Sequence, residues 1–524
     1  MVRVADVTSG FSAPADERYI IGIDSGTQGI KAVLFDGEGN ELAKKGIPLQ
    51  GYFPKENRYE EQMPEIWEKG CSCIKEVAAT VDASKIAGIG ITAQGDGLWM
   101  VDENGEPVRP GCCFCDGRAA DIVEGWNADG TTERLFELTG TWMCVGNQNG
   151  IVKWMELNEP QSLDKSRWLL HLKDYLFFKL TGEFTSDATD QSLVLLDQRT
   201  RDYLPEAFEA CGIERYREKY PPVLSAKENA FRIRPELATE LGVSPECLVT
   251  SGPMDVAACA LGAGVVQRGE CCSIMGTAAL HEMVIDEPLS DDIHAGMTVS
   301  HVMDDRWLRL MASYAGTPNL EWMLDTLGSS VRAEADKAGK NVYAYMEDLV
   351  KETPIGSNGV MYHPYVLAGG ERAPFTDPRA RASYTGLSVR NTIADVVRAT
   401  YEGVTFAMLD CYQHMPLPVE KITVCGGGAN SAMWLQMFSD ALGAEIVTVD
   451  GAELGARGVA INNAVVQGFY PSYQAAVDKI VKTKRVFRPN MANHDRYMQF
   501  YELYKAIYLA LRPTWKLRHE ILND

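Results

Sequence analysis

Two aspartates interrupt stretches that are otherwise apolar: Asp24 in Ile20-Ile-Gly-Ile-Asp-Ser-Gly-Thr27 and Asp255 in Ser251-Gly-Pro-Met-Asp-Val-Ala-Ala258. A carboxylate drawn out of water needs a partner: a metal ion, a substrate hydroxyl, or backbone N–H groups at a turn or helix start. Asp255, ahead of the small-residue helix predicted over 256–262, suits the last of these as well as the others. Three small-residue turns lie in the second half, Gly276-Thr277, Ala315-Gly316-Thr317 and Gly426-Gly-Gly-Ala-Asn430. The glycine triplet alone reads as a plain strand-to-helix turn, since it lacks both the Lys-Ser/Thr ending of a P-loop and dinucleotide spacing. Converging on one crevice, the three would make a nucleotide pocket of backbone N–H groups. The loop Gln94-Gly-Asp96-Gly97 adds a carboxylate able to accept two hydroxyl hydrogen bonds at once. Gly95 is expected to leave room for an acceptor. The alternative for Asp96 is a cap on its own loop, through the N–H of Gly97 or Leu98.

The elements that must position these groups follow from periodicity. Residues 19–36 read as strand, Gly-rich turn, strand, a hairpin bearing Asp24. A third strand is predicted over 41–49, a helix over 64–80 with Ile66, Trp67, Cys71, Ile74 and Val77 on a 3.6-residue period, and a buried strand over 86–92 ending at Gln94. The opening recurs in residues 271–285, again strand, Gly-Thr, strand, about 250 residues on. Two like halves facing each other across a cleft are expected, each an α/β domain with a partly parallel sheet. Strands over 307–313 and 421–425 and helices over 319–338, 393–412 and 432–442 complete the second half. The glycines Gly262, Gly264 and Gly269 mark the candidate hinge, with simple turn-making as the alternative.

A length of 524 residues predicts two domains. The net charge of −22 opposes phosphate backbones, so nucleic acid is excluded as a partner. No apolar run of about 20 residues predicts a membrane span. Residues 1–18 read as a polar extension rather than a secretion signal, and the expected compartment is the cytoplasm. The 13 cysteines read as reduced, mostly buried thiols. Cys112, Cys113 and Cys115 lack the paired spacing of a zinc site.

Six segments in order, Ile21-Gly-Ile-Asp-Ser-Gly-Thr-Gln-Gly-Ile-Lys31, Thr92-Ala-Gln-Gly-Asp-Gly97, Phe114-Cys-Asp-Gly-Arg118, Gly252-Pro-Met-Asp-Val-Ala-Ala258, Met275-Gly-Thr277 and Val424-Cys-Gly-Gly-Gly-Ala-Asn430, together resemble the FGGY carbohydrate kinases. The resemblance implies two actin-like, ribonuclease H-type ATPase domains facing a central cleft, sugar bound by residues 19–265 and ATP by 266–524. It implies Asp255 as catalytic base, and Asp24, with Thr27 and Lys31, as the turn for phosphate and water-bridged Mg²⁺. Gly276, Thr277, Gly316, Gly427 and Asn430 resemble nucleotide contacts. Gln94, Asp96, Asp116, Arg118 and Asp174 fall in segments that line the sugar pocket in relatives.

The chain departs from the family pattern at Gly95-Asp96, where xylulokinases present Met-His and glycerol kinases Arg-Glu, at Val256, and at Ala315-Gly316-Thr317 in place of Ser-Gly-Gly. The substrate loop is closer to L-xylulose and erythritol kinases. The expected reaction is ATP-dependent phosphorylation of a primary hydroxyl on an acceptor of four or five carbons, erythritol or a pentulose, with a homodimer left open. The competing readings are an actin-like ATPase or a sugar-sensing regulator without kinase activity. A dinucleotide oxidoreductase is opposed by the missing G-x-G-x-x-G after the first strand.

Overall fold

The computed structural model describes residues 17–193, 195–288, 293–367 and 369–523, so most of the N-terminal extension lies outside the described residues. Strands β1 (Tyr19–Gly26), β2 (Gly29–Phe35), β3 (Glu41–Pro48), β4 (Ile86–Ala93), β5 (Ala230–Arg232) and β6 (Leu248–Ser251) form a six-stranded sheet ordered β5-β6-β4-β1-β2-β3. A seven-stranded sheet is built from β7 (Cys271–Met275), β8 (Ala279–Ile285), β9 (Met297–Ser300), β10 (Trp307–Ser313), β11 (Lys421–Cys425), β12 (Glu445–Val449) and β13 (Thr483–Phe487), in the order β9-β10-β8-β7-β11-β12-β13. Each sheet opens with an antiparallel hairpin, β1–β2 or β7–β8. The first strand of each hairpin then pairs on its other side, in parallel, with a strand that arrives much later, β4 or β11. One pairing plan used twice is the duplication that Gly26-Thr27 and Gly276-Thr277 foretold, both being hairpin turns.

Strands with parallel neighbours are buried on both faces, which is why β4 is an unbroken run of buried residues. Helix α1 (Met63–Ala78) starts with Pro64 in its first turn and buries Ile66, Cys71, Ile74 and Val77. Further helices used below are α2 (Leu172–Thr181), the short α3 (Ala188–Gln191), α4 (Asp255–Gly262), α5 (Ile393–Gln413), α6 (Ala432–Leu442), α7 (Leu454–Val466) and α8 (Met491–Asn523). The helix expected over 319–338 is two helices, Pro318–Thr326 and Ser329–Lys337. They part at Gly328, which presses on the Leu324 backbone and lacks helix propensity.

One helix crosses the sequence boundary. α7 belongs to the second half of the chain, yet it packs on the first sheet, where a Cβ on Gly22 or Gly90 would strike the carbonyls of Ala456 and Val459 at 2.1 and 2.3 Å. It also lies against α4, and here Gly262, offered as a hinge, acts as a packing glycine: its Cβ would stand 2.0 Å from Leu454 O. Gly264 and Gly269 take left-handed turns at φ of +83° each. Among the described residues no helix is long and apolar enough to cross a membrane.

Candidate active site

On β1, Asp24 stands abreast of Lys31 on β2 and Thr92 on β4, so the three side chains share one face. Thr92 Oγ1 donates to Pro253 O at 2.7 Å, and Gly252 N–H donates to Ile91 O at 2.9 Å. These bonds fasten the segment before α4 to the end of β4. Met254 N–H reaches Thr189 Oγ1 on α3 at 2.9 Å. Asp255 therefore begins α4 where β1, β4 and α3 meet, its Oδ1 accepting from Val256 N–H at 2.8 Å and its carboxylate also held by Gly95 N–H. Burial pushes Asp255 up to about 7, and the negative charges of Asp24 and Asp190 add to the rise. A carboxylate poised near neutrality beside a cleft can take a proton from a hydroxyl.

Burial raises Asp24 as well, with Lys31 pulling it down and Glu453 pushing it up. Its carboxylate has no hydrogen-bond donor among the described residues. A carboxylate without a donor can hold a hydrated divalent cation, and here Oδ2 lies against Gly455 at the start of α7. Among the described residues no cluster of three or more His, Cys, Asp or Glu surrounds a metal position. Lys31 Nζ pairs with Glu453 Oε2 at 3.0 Å, joining β2 to the residue ahead of α7. Thr27 lies in the hairpin turn, where its carbonyl accepts from Tyr59 OH at 3.5 Å.

Asp96 has φ +58°, a left-handed backbone rare for a residue with a side chain. Its Oδ1 accepts from Asn147 Nδ2 at 2.7 Å. The N–H groups of Gly97 and Leu98 go to Gly146 O and Cys112 O, so Asp96 does not cap its own loop. Burial pushes Asp96 up to about 6, opposed by Asn147, His171 and Arg372. The room expected at Gly95 is not there: a Cβ would meet Met254 Cε at 2.9 Å and Leu193 Cδ1 at 3.2 Å. Glycine at this position lets the loop close on α4 rather than opening the pocket.

The remaining predicted sugar residues form a supporting wall. Gln94 Nε2 donates to Glu61 Oε2 at 2.9 Å, while its Oε1 is buried without a partner. Arg118 Nε grips Asp116 Oδ1 at 2.7 Å and Arg118 Nη2 reaches Glu60, leaving Nη1 as the donor without a partner. Asp174 closes a capping box at the start of α2, accepting from His171 N–H at 3.1 Å. The groups nearer Asp255 and Asp96 are ones the sequence reading passed over, namely Asp190, His171 and Arg372. Asp190 is pushed up to about 6 by burial, with Lys173 opposing at an ion-pair distance of 3.0 Å. It lies in the polar stretch Thr185-Ser-Asp-Ala-Thr-Asp-Gln-Ser192, so it lacked the apolar surroundings that singled out Asp255.

On the second sheet the three small-residue turns do converge. Thr317 N–H and Oγ1 both donate to Gly276 O at 2.9 Å, and a Cβ on Gly316 would lie 2.3 Å from Thr277 O. Gly426, at φ +86°, lies against Met275, whose carbonyl a Cβ would meet at 2.6 Å. Asn430 Nδ2 donates to Gly427 O at 3.1 Å and steadies the turn. Gly427 itself faces open space, with nothing within 4 Å of a Cβ built there. The result is a ledge of small residues whose tight turns hold one another, with Gly427 at its open edge.

Residues 19–262 match the N-terminal domain of the FGGY family of carbohydrate kinases and residues 271–466 match its C-terminal domain. The chain is 28% identical to the erythritol kinase of Brucella abortus, covering 95% of this chain and 97% of that protein. It is 27% identical to the L-xylulose/3-keto-L-gulonate kinase of Escherichia coli, over 94% and 97%. The fold is that of the ligand-bound xylulose kinase from Lactobacillus acidophilus, with a TM-score of 0.88 at 22% identity, covering 95% of this chain and 99% of that one.

Proposed function

The chain belongs to the FGGY family of carbohydrate kinases, and on that premise we propose that it transfers a phosphoryl group from ATP to a primary hydroxyl of a neutral polyol or ketose of four or five carbons. It is a carbohydrate kinase with two actin-like domains, which we assign to residues 19–265 and 266–524. The observation that supports the finer reading most is Asp255, a carboxylate held near neutrality at the head of α4, with Asp24 beside it.

Phosphoryl transfer asks the protein mainly to position the acceptor and neutralise charge. Asp255 accepts a hydrogen bond from the acceptor's primary hydroxyl and takes its proton as the new O–P bond forms. Asp96 accepts from neighbouring hydroxyls and fixes the chain of the acceptor along the loop. Gly276, Thr277, Gly316, Gly427 and Asn430 seat the nucleotide, and Lys31 and Thr27 face its phosphates. Mg²⁺, held through water by Asp24, would shield the phosphate charge. Against an ATPase that only changes shape stands the pairing of Asp255 with Asp96, two carboxylates placed for hydroxyls that such a protein does not need.

The test is a coupled assay for acceptor-dependent ADP formation across polyols and ketoses of three to six carbons at equal concentration. Turnover with erythritol or a pentulose as best acceptor is the expected result. ATP hydrolysis indifferent to every acceptor would refute it.

A further inference from the structure

Arg372 is contributed by the second half of the chain and ends in the acceptor pocket of the first. Its segment is anchored by Glu371, whose carboxylate accepts from Ser313 Oγ at 2.9 Å and Tyr314 N–H at 3.0 Å at the end of β10, and from Arg372 N–H at 2.8 Å. From there the guanidinium lies over the Tyr314 ring, 5.4 Å from its centroid, and donates to Cys144 Sγ at 2.7 Å. That thiol is its one hydrogen-bond acceptor among the described residues. A thiol is a weak acceptor, and the guanidinium carries five N–H donors in a rigid fork. Cys144 N–H in turn donates to Asn147 Oδ1, and Asn147 holds Asp96. A cation with spare donors and a carboxylate with spare lone pairs thus face one pocket from opposite halves of the chain.

Resting on the kinase reading above, we propose that Arg372 is a specificity-determining residue that donates to the same acceptor hydroxyl whose proton points at Asp96. A hydroxyl both donates and accepts, so it satisfies the pair at once. The acceptor is then clasped by both domains. A carboxylated acceptor is disfavoured, because Asp96 and Asp255 face the pocket and Lys173 is already paired with Asp187 and Asp190. One remaining guanidinium does not offset two carboxylates.

The test uses the full-length enzyme. Arg372→Gln should raise the acceptor KM about 10- to 100-fold with the ATP KM within about threefold of wild type. Arg372→Lys should recover part of the loss. Cys144→Ala removes the sulfur contact alone and should leave the acceptor KM within about threefold. Combining Asp96→Asn with Arg372→Gln should cost less than the two losses multiplied, since both act on one hydroxyl. If Cys144→Ala matches Arg372→Gln, Arg372 only clamps the domains together and the proposal falls. It falls too if Arg372→Gln keeps a normal acceptor KM in an enzyme that phosphorylates polyols, or if an aldonate is the best acceptor of the wild type. Failure of the wild type to phosphorylate any neutral acceptor would instead remove the kinase reading beneath it.

Discussion

The carbonyl of Ala258 on α4 fills the place beside Gly458 on α7: a Cβ on Gly458 would sit 1.9 Å from that oxygen. Since α4 starts at Asp255, the depth at which the proton-accepting carboxylate sits is set by a glycine about 200 residues further along the chain.

Gly458→Ala should therefore lower stability by about 1–3 kcal/mol and reduce kcat through a displaced Asp255. Thermal melting together with steady-state kinetics checks this, and a variant that melts and turns over like the wild type would show that the two helices can part freely.

Asp255→Asn should cost about 10²–10⁴ in kcat while calorimetric acceptor binding stays near normal. In the wild type kcat should rise with pH through about 7, where Asp255 loses its proton and becomes a base. A pH profile that is flat from 5.5 to 8.5 would assign proton removal elsewhere.

The same substitution should stabilise the fold. Asp255 has a folded value of about 7 against an ordinary 3.8, so the folded state holds the proton more tightly than the unfolded one. Asp255 is neutral for stability below its unfolded value, and its ionisation becomes progressively more costly up to about 7. Above that the cost is on the order of 4 kcal/mol. Asp255→Asn should raise Tm by a few degrees at pH 8 and by almost nothing at pH 4. Equal shifts at both would contradict the burial of the charge.

Gly427→Val should raise the KM for ATP far more than that for the acceptor, and it should do so at unchanged Tm. The protein leaves open space at this Cβ, so only a bound nucleotide meets the new side chain. Altered acceptor affinity with an unaltered ATP response would move the nucleotide off this turn.

Asp96→Ala should change the ratio of kcat/KM for the best four- or five-carbon acceptor to that for glycerol. With the wild type, acceptor KM should rise as pH falls below about 6, because protonated Asp96 accepts hydroxyl bonds less well. An unchanged ratio would take Asp96 out of acceptor recognition.

Much of this was legible in the sequence because it is local. The hairpin turns, the apolar strands around Asp24, the Gly-Thr repeat and the glycine turn before α6 are set by alternation and by residues free to turn sharply, over stretches of a dozen residues or fewer. The six motifs in order were enough to mark the family. What the tertiary structure decided depends on groups far apart in the chain. The charge state of Asp255 comes from burial and from Asp24 and Asp190. Gly95 is closed in by Met254 and Leu193, against the room its lack of a side chain implied. α7 packs on the sheet of the other half, and Arg372 reaches Cys144 from 228 residues away. Close packing brings these groups together only once both sheets have formed, and no period or spacing along the chain encodes which distant side chain will fill a given gap.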